Sequence, residues 1–329
     1  MDYKAEILKL KEELPVTIVG HYYQRDEVFE LADITGDSLE LARKCSQDKN
    51  PWVVFCGVGF MGQSVKIIAP QKRVLMPKIA CCAMARMIDA SYFDESVEYM
   101  VERGIKKEDI LPITYINSDA TVKAKVGKMG GLVCTSSNAY KIIEKALESG
   151  KKILFVPDRC LGQNFANSMG LKSCVIGEGE CDPKEADIIC FNGFCSVHQL
   201  FTVDDINFYR QKYPDILIAV HPECDPSVVK EADFVGSTSQ LIKYVNSLDP
   251  NQKVAVGTEY NLVHRMREKN TYVLSATKPE CPTMNETTLK DLYEVLKSIK
   301  DGNPINEIFV DEETAKYAKL ALDRMLEIK

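Results

Sequence analysis

A pattern of apolar and polar positions recurs three times along the chain. Apolar, β-prone runs occupy residues 16–20, 111–114 and 216–220. Each run ends in a polar group, and the three groups are His21-Tyr22-Tyr23, Tyr115-Ile116-Asn117 and His221-Pro222-Glu223. Each run predicts a buried strand whose carboxyl end carries reactive side chains.

A second apolar run in each copy leads into a hydroxyl residue that opens an amphipathic helix. These hydroxyl residues are Ser38, Ser136 and Thr238. We expect them to be helix N-caps, where free backbone N–H groups bind anions such as phosphate. Any one of them alone is more simply a cap without a ligand, but their recurrence favours a shared anion site.

A third strand follows each helix, and a fourth is predicted to end at a cysteine, namely Cys82, Cys195 or Cys281. Core packing does not require the same residue at the same place in three copies. We therefore expect three thiolates to meet near a pseudo-threefold axis. They could bind zinc with a fourth ligand, or hold three corners of a [4Fe–4S] cluster whose fourth iron is open.

Strands and helices that alternate in this way predict an α/β protein with parallel sheets. The prediction is three pseudo-threefold-related αβα units around a central cluster site, spanning residues 1–95, 96–200 and 201–285. Extra length in the second unit predicts an insertion near 171–187. Residues 286–329 are predicted to form a helical tail that docks on another unit to bury its apolar stripe.

Two strand-end residues spaced i, i+2 point to the same side of a strand. The pairs are His21/Tyr23, Tyr115/Asn117 and His221/Glu223. Together they bring a carboxylate, imidazoles, phenols and an amide to one cavity, which suits proton transfer and the orientation of a polar substrate. Taken singly, such residues are more often structural, so the coincidence across the copies carries this hypothesis.

Composition and charge argue against nucleic-acid-binding, membrane-spanning and secreted proteins. The 329 residues include 41 Lys and Arg against 48 Asp and Glu, a net charge of −7 without a long basic run, which disfavours nucleic acid as a partner. No apolar run is long enough to span a membrane and no secretion signal is evident, so we expect a cytoplasmic protein. There the 12 cysteines are expected to be metal ligands, nucleophiles or core residues rather than a disulfide framework.

The motifs at these positions, taken in order over residues 15–290, resemble those of the quinolinate synthase family. They are GHYYQ, GDSLELA, FCGVGFMGQSVKI, MPKIACCAMARM, ITYINSDATVKA, VCTSSNA, PDRCLGQN, GFCSVHQLF, AVHPEC, FVGSTSQLI and ATKPECPTMNETTL. The resemblance implies three αβα domains around one [4Fe–4S] cluster per chain. The cluster would be held by Cys82, Cys195 and Cys281, and its open iron would act as a Lewis acid.

The reaction that the resemblance implies is the condensation of iminoaspartate with dihydroxyacetone phosphate to give quinolinate, phosphate and water. It makes the chain a transferase of de novo NAD biosynthesis, with aspartate oxidase or aspartate dehydrogenase as its metabolic partner. Tyr23, Glu223 and His21 are the predicted catalytic residues. The predicted substrate-binding residues are His21, Ser38, Tyr115, Asn117, Ser136, His221, Glu223 and Thr238.

The chain departs from the family pattern at several positions. Gln63 replaces an acidic residue, Cys160 replaces an asparagine or another polar residue, and Cys81 replaces the glycine before Cys82. The cysteines in or beside the insertion are expected to be surface or core residues rather than a second metal or redox site; they are Cys174, Cys181 and Cys190.

Two alternative functions remain at this point. One is a different cluster-dependent hydro-lyase, which would not need three hydroxyl residues at helix starts. The other is an iron–sulfur or zinc sensor or scaffold without turnover, which would not need acid–base residues at the strand ends.

Overall fold

The computed structural model describes residues 1–267 and 269–328, which contain three separate parallel β-sheets. Residue 268 of the predicted third unit and residue 329 of the predicted tail lie outside the described residues. In chain order the strands are β1 (Val16–His21), β2 (Ile34–Gly36), β3 (Trp52–Cys56), β4 (Arg73–Leu75), β5 (Ile110–Tyr115), β6 (Leu132–Cys134), β7 (Lys152–Val156), β8 (Ser173–Val175), β9 (Ile188–Cys190), β10 (Leu217–Val220), β11 (Phe234–Val235), β12 (Val254–Gly257) and β13 (Thr271–Val273).

Helices alternate with these strands. In chain order they are α1 (Tyr3–Glu13), α2 (Asp26–Phe29), α3 (Ser38–Gln47), α4 (Gly59–Ile68), α5 (Ala83–Met87), α6 (Ala90–Glu102), α7 (Ala120–Lys128), α8 (Ala139–Leu147), α9 (Arg159–Ser168), α10 (Val203–Lys212), α11 (Pro226–Glu231), α12 (Thr238–Ser247), α13 (Tyr260–His264), α14 (Leu289–Lys300) and α15 (Glu312–Glu327). Within the described residues, no helix combines the length and apolar character needed to cross a bilayer.

The three sheets repeat one strand order. The first is β2-β1-β3-β4, the third is β11-β10-β12-β13, and the second is β6-β5-β7-β9-β8. Every strand pairing in them is parallel. The central strands β1 and β5 are buried along their whole length, as expected where helices cover both faces of a sheet. The prediction of three α/β units with parallel sheets is confirmed.

The second sheet has one strand more than the others because the predicted insertion adds β8 at its edge. Beyond β8 the chain turns back through Gly177 and Gly179, both of which have a positive φ. Cys174 and Cys181 then meet in a disulfide, with their Cα atoms 5.1 Å apart. This disulfide was not predicted from the sequence, which indicated surface or core cysteines, since spacing alone does not show that the turn brings the two residues together.

The C-terminal helices pack on the first two sheets. On α14, Leu292 and Leu296 belong to a buried apolar cluster with Ile7 and Leu10 of α1. Helix α15 crosses α7 so closely that a Cβ atom on Gly127 would lie 1.9 Å from the Tyr317 carbonyl oxygen. The sequence boundaries proposed for the units and for the tail stay predictions.

Replacing Leu296 with alanine is expected to lower the free energy of unfolding by about 2–5 kcal/mol, because the side chain is fully buried and its loss leaves a cavity. Urea denaturation followed by circular dichroism measures the change. Leu320 on α15 is 41% exposed, so Leu320→Ala serves as the control and should change stability by less than about 1 kcal/mol. Equal losses in the two variants would show that α14 does not contribute to the core in this way.

Candidate active site between the three sheets

The loops at the carboxyl ends of the three sheets line one cavity. It contains all twelve residues that the sequence singled out as candidates: His21, Tyr23, Ser38, Cys82, Tyr115, Asn117, Ser136, Cys195, His221, Glu223, Thr238 and Cys281. Among the described residues that line it, none is Lys or Arg. An anionic ligand in this cavity would therefore be bound by hydroxyl, imidazole and amide donors.

The strand-end pairs lie in this cavity for a reason other than strand alternation. Strand β1 ends at His21, β5 at Tyr115 and β10 at Val220, so at least one member of each pair lies beyond its strand. The expectation that the two members share one face of a strand was wrong. Tight turns bring them together instead.

Two of these turns are closed by the same hydrogen bond. The Tyr23 amide donates to His21 Nδ1 at 3.1 Å, and the Glu223 amide donates to His221 Nδ1 at 3.3 Å. Burial lowers the pKa of His21 to about 4 and that of His221 to about 3, so both rings are neutral at neutral pH. Since Nδ1 accepts, the ring proton lies on Nε2, which is left as a hydrogen-bond donor.

The helix N-caps lie one or two residues away from the hydroxyl residues expected. The observed caps are Asp37 for α3, Asn138 for α8 and Ser237 for α12. Asp37 and Ser237 are the caps because each forms a capping box with the residue three positions later, which is Glu40 for Asp37 and Gln240 for Ser237. The caps predicted at Ser38, Ser136 and Thr238 were therefore wrong, although all three residues line the cavity.

A buried carboxylate network is centred on Glu223. The Tyr115 hydroxyl donates to Glu223 Oε1 at 2.5 Å, and His198 Nδ1 lies 3.0 Å from Oε2. The other His198 nitrogen lies 3.1 Å from Thr258 Oγ1. Burial alone would raise the pKa of the Glu223 carboxyl, but the His198 and His221 imidazoles and these hydrogen bonds outweigh burial and hold the pKa below its usual value.

Tyr23 connects the first sheet to the third. Its hydroxyl lies 3.1 Å from Thr238 Oγ1 and 3.0 Å from Thr258 Oγ1. Burial, together with the charge of Glu223, raises the pKa of Tyr23 well above its usual value. The phenol is therefore protonated and can donate a hydrogen bond.

The three candidate cysteines lie in loops and not at strand ends. Strands β4, β9 and β13 stop five to eight residues before Cys82, Cys195 and Cys281, which corrects the sequence prediction. Burial raises the pKa of each thiol, to about 12 for Cys82. The charge of Glu223 raises the pKa of Cys195 further, and all three cysteines line the cavity.

Two sets of candidate metal ligands line the cavity. Among the described residues, one set of three ligand atoms lies within 4.8 Å of one another, from Cys195, His198 and Glu223. Both ring nitrogens of His198 already have hydrogen-bond partners, so this set is better explained as the carboxylate network. The other set is Cys82, Cys195 and Cys281, which reach the cavity from three separate loops.

Sequence reasoning missed His198 and Thr258. His198 follows Cys195 by three residues, and it is one of only four histidines in the chain. Three of these four, His21, His198 and His221, line the cavity. The scarcity of histidine was therefore a usable signal that the comparison of repeats ignored.

The departures at Gln63 and Cys81 have local explanations. Gln63 Nε2 donates to Asp119 Oδ2 at 2.8 Å, so an acidic residue at this position would bring two carboxylates together. The Cys81 thiol is directed at the Cys82 carbonyl oxygen, 3.8 Å away, and Cys81 does not line the cavity. Cys160 and Cys190 are buried free thiols.

Comparison with known proteins gives a consistent result. The family model described as "Quinolinate synthetase A protein" matches residues 5–327. A protein from Helicobacter pylori named quinolinate synthase is 58% identical over 332 residues, which cover 99% of this chain and 98% of that protein. Proteins of the same name from Streptomyces coelicolor (41% identical, 99% of this chain and 88% of the relative) and Haloarcula marismortui (39% identical, 95% and 87%) are also similar.

Proposed function

We propose that this chain, which belongs to the quinolinate synthase family, condenses iminoaspartate with dihydroxyacetone phosphate. The products would be quinolinate, phosphate and water, and the reaction is a step of NAD biosynthesis. The observation that carries the proposal is the single cavity lined by three cysteines and by acid–base and hydroxyl residues from all three sheets. An enzyme that supplies iminoaspartate, such as aspartate oxidase or aspartate dehydrogenase, would be its metabolic partner.

Cys82, Cys195 and Cys281 would hold a [4Fe–4S] cluster. The fit rests on three half-buried cysteines that reach one cavity from three loops, and on the absence of a fourth cysteine among the described residues that line the cavity, which would leave one iron open. When bound, the cluster supplies an open iron that acts as a Lewis acid towards a carboxylate or hydroxyl oxygen.

Ser38 and Ser136 would bind the phosphate group. Ser38 is the first residue of α3, and Ser136 precedes α8 by three positions. The hydroxyl groups therefore lie beside helix N-termini, whose free N–H groups and dipoles favour an anion. The same donors would hold the inorganic phosphate after it is released.

Glu223, Tyr23 and His21 would move protons during isomerisation, ring closure and loss of water. The Glu223 carboxylate is ionised and can accept a proton, while the Tyr23 phenol is protonated and can donate one. The neutral His21 ring carries its proton on Nε2. The cavity thus offers one proton acceptor and two proton donors. The condensation needs both kinds of group, because protons are removed and added as the ring closes and water leaves.

Tyr115, Asn117, His221 and Thr238 would orient the dicarboxylate. With no Lys or Arg among the described lining residues, its charges are met by the phenol, the amide, the His221 Nε2–H and the Thr238 hydroxyl. Without substrate Tyr115 donates its only hydroxyl proton to Glu223, so a substrate that takes over this hydrogen bond would lie next to the proton acceptor. Positioning of this kind accelerates a reaction by placing the reacting groups in contact.

The test is an anaerobic assay of the reconstituted protein with dihydroxyacetone phosphate and an enzymatic source of iminoaspartate. Four irons per chain and the formation of quinolinate are expected. A cluster without quinolinate would overturn the proposed reaction and favour a hydro-lyase acting on another hydroxy acid. Zinc, or no metal, would overturn the assignment of the three cysteines.

A further inference from the structure

One carboxylate joins the three units at the edge of the cavity. Asp37 Oδ2 accepts hydrogen bonds from the Ser137 hydroxyl at 3.0 Å and from the Ser239 hydroxyl at 2.9 Å. The other oxygen, Oδ1, accepts from the amides of Leu39 and Glu40. Asp37 belongs to the first unit, Ser137 to the second and Ser239 to the third. We call Asp37, Ser137 and Ser239 the axial clamp.

Each member of the axial clamp is the chain neighbour of a predicted substrate-binding hydroxyl residue. Asp37 precedes Ser38, Ser137 follows Ser136, and Ser239 follows Thr238. The three hydroxyl residues line the cavity. Any change in the spacing of the clamp therefore changes the spacing of those hydroxyl groups.

The Asp37 carboxylate is well suited to this position. It is only 7% exposed, and its four hydrogen bonds compensate for the loss of water. It also lies where α3, α8 and α12 begin, and the positive ends of helix dipoles attract a negative charge. Hydrogen bonds to an ionised acceptor are stronger than those between neutral groups.

We propose that Asp37 is a positioning residue that fixes the separation of these three helix starts, so that Ser38, Ser136 and Thr238 meet the anionic groups of the substrates in a preorganised arrangement. This inference rests on the proposed function. Asp37 also lines the cavity, but its two carboxylate oxygens are occupied by Leu39, Glu40, Ser137 and Ser239, so it acts through its neighbours. Its loss should therefore weaken substrate binding more than it slows the chemical step.

Asp37→Ala in the reconstituted protein is expected to raise the KM for dihydroxyacetone phosphate about tenfold or more while changing kcat less and leaving the iron content unchanged. The matched control is Asp89→Ala. Asp89 caps α6 with the same pattern, since one of its oxygens accepts from the amides of Ser91 and Tyr92, and both of these donors belong to its own helix. Asp89→Ala should leave the KM unchanged, and equal KM values in the two variants would overturn the proposal.

Two further variants separate positioning from a general loss of stability. Asn at position 37 can still accept from the two amides and can donate to both serines, so Asp37→Asn should restore much of the wild-type KM. The double variant Ser137→Ala with Ser239→Ala removes the contacts between units but keeps the cap, and it should reproduce the KM of Asp37→Ala. A wild-type KM in the double variant would show that the cap, and not the clamp, matters.

Hydrogen exchange gives a readout that needs no turnover. Without substrate, Asp37→Ala should exchange faster than wild type in residues 132–140 and 234–242, which belong to the other two units, while Asp89→Ala should not. If wild type makes no quinolinate, the proposed function fails, yet the exchange data still decide whether the clamp holds the helix starts together. Unchanged exchange together with an unchanged KM would overturn the inference while leaving the proposed function intact.

Discussion

Cys82→Ala is expected to abolish both cluster assembly and quinolinate formation, because two cysteines cannot replace three in holding a [4Fe–4S] cluster with one open iron. Cys82 lies in the loop after β4 and lines the cavity beside Cys195 and Cys281. The measurements are the iron content, the absorbance near the thiolate-to-iron charge-transfer band and the quinolinate yield under anaerobic conditions. All three should fall to the background of the unreconstituted protein.

Cys81→Ala is the matched control, because it removes a thiol from the adjacent position in the same loop. The Cys81 thiol is directed at the Cys82 carbonyl oxygen and not at the cavity, so this variant should keep its iron and its activity. If Cys81→Ala loses the cluster and Cys82→Ala keeps it, the two cysteines have been assigned in the wrong order. If neither variant changes, the loop does not bind the cluster.

Glu223→Gln is expected to lower kcat by about 100-fold or more, the usual scale for the loss of a general acid–base group, while leaving the cluster spectrum intact. Glutamine has almost the same shape and can still accept the hydrogen bond from Tyr115. It cannot take up a proton, and its NH₂ group can face His198 Nδ1. Steady-state kinetics at saturating substrate measures the effect.

Glu231→Gln provides the comparison for Glu223→Gln. Glu231 is an exposed residue at the end of α11, where it pairs with Arg210, so the same substitution there should leave kcat unchanged. Wild-type kcat in Glu223→Gln would remove this carboxylate from the mechanism. A decrease accompanied by loss of iron would instead assign Glu223 a role in cluster assembly.

The sequence predicted the architecture because the repeated apolar runs form buried strands, and a short apolar run of this kind indicates a buried strand wherever it occurs. It also predicted which residues meet, since the carboxyl ends of parallel strands lie at one edge of each sheet. It placed the helix N-caps wrongly where two adjacent residues can both cap a helix. Asp37 and Ser38 are both good N-caps, and only the position of Glu40 decides between them.

His198 was not predicted as a site residue, for a different reason. The predicted site residues occupy positions that recur in the three copies, and His198 is not at one of those positions. Its role depends on contacts with Glu223 and Thr258, which are distant in sequence. The Cys174–Cys181 disulfide escaped because it lies in the insertion, where there is no second copy to compare and where the turn geometry sets the distance.

The axial clamp has a consequence for building such a protein from identical parts. A symmetric homotrimer of one unit could present three cysteines to a cluster on its axis, because three equal ligands are what that side of the cluster needs. It could not form the clamp, since three copies of Asp37 would crowd three negative charges together and three serines would lack an ionised acceptor. Only units that differ in sequence can place one acceptor and two donors around a common axis. Fusing diverged units into one chain thus permits a charge distribution that exact rotational symmetry forbids.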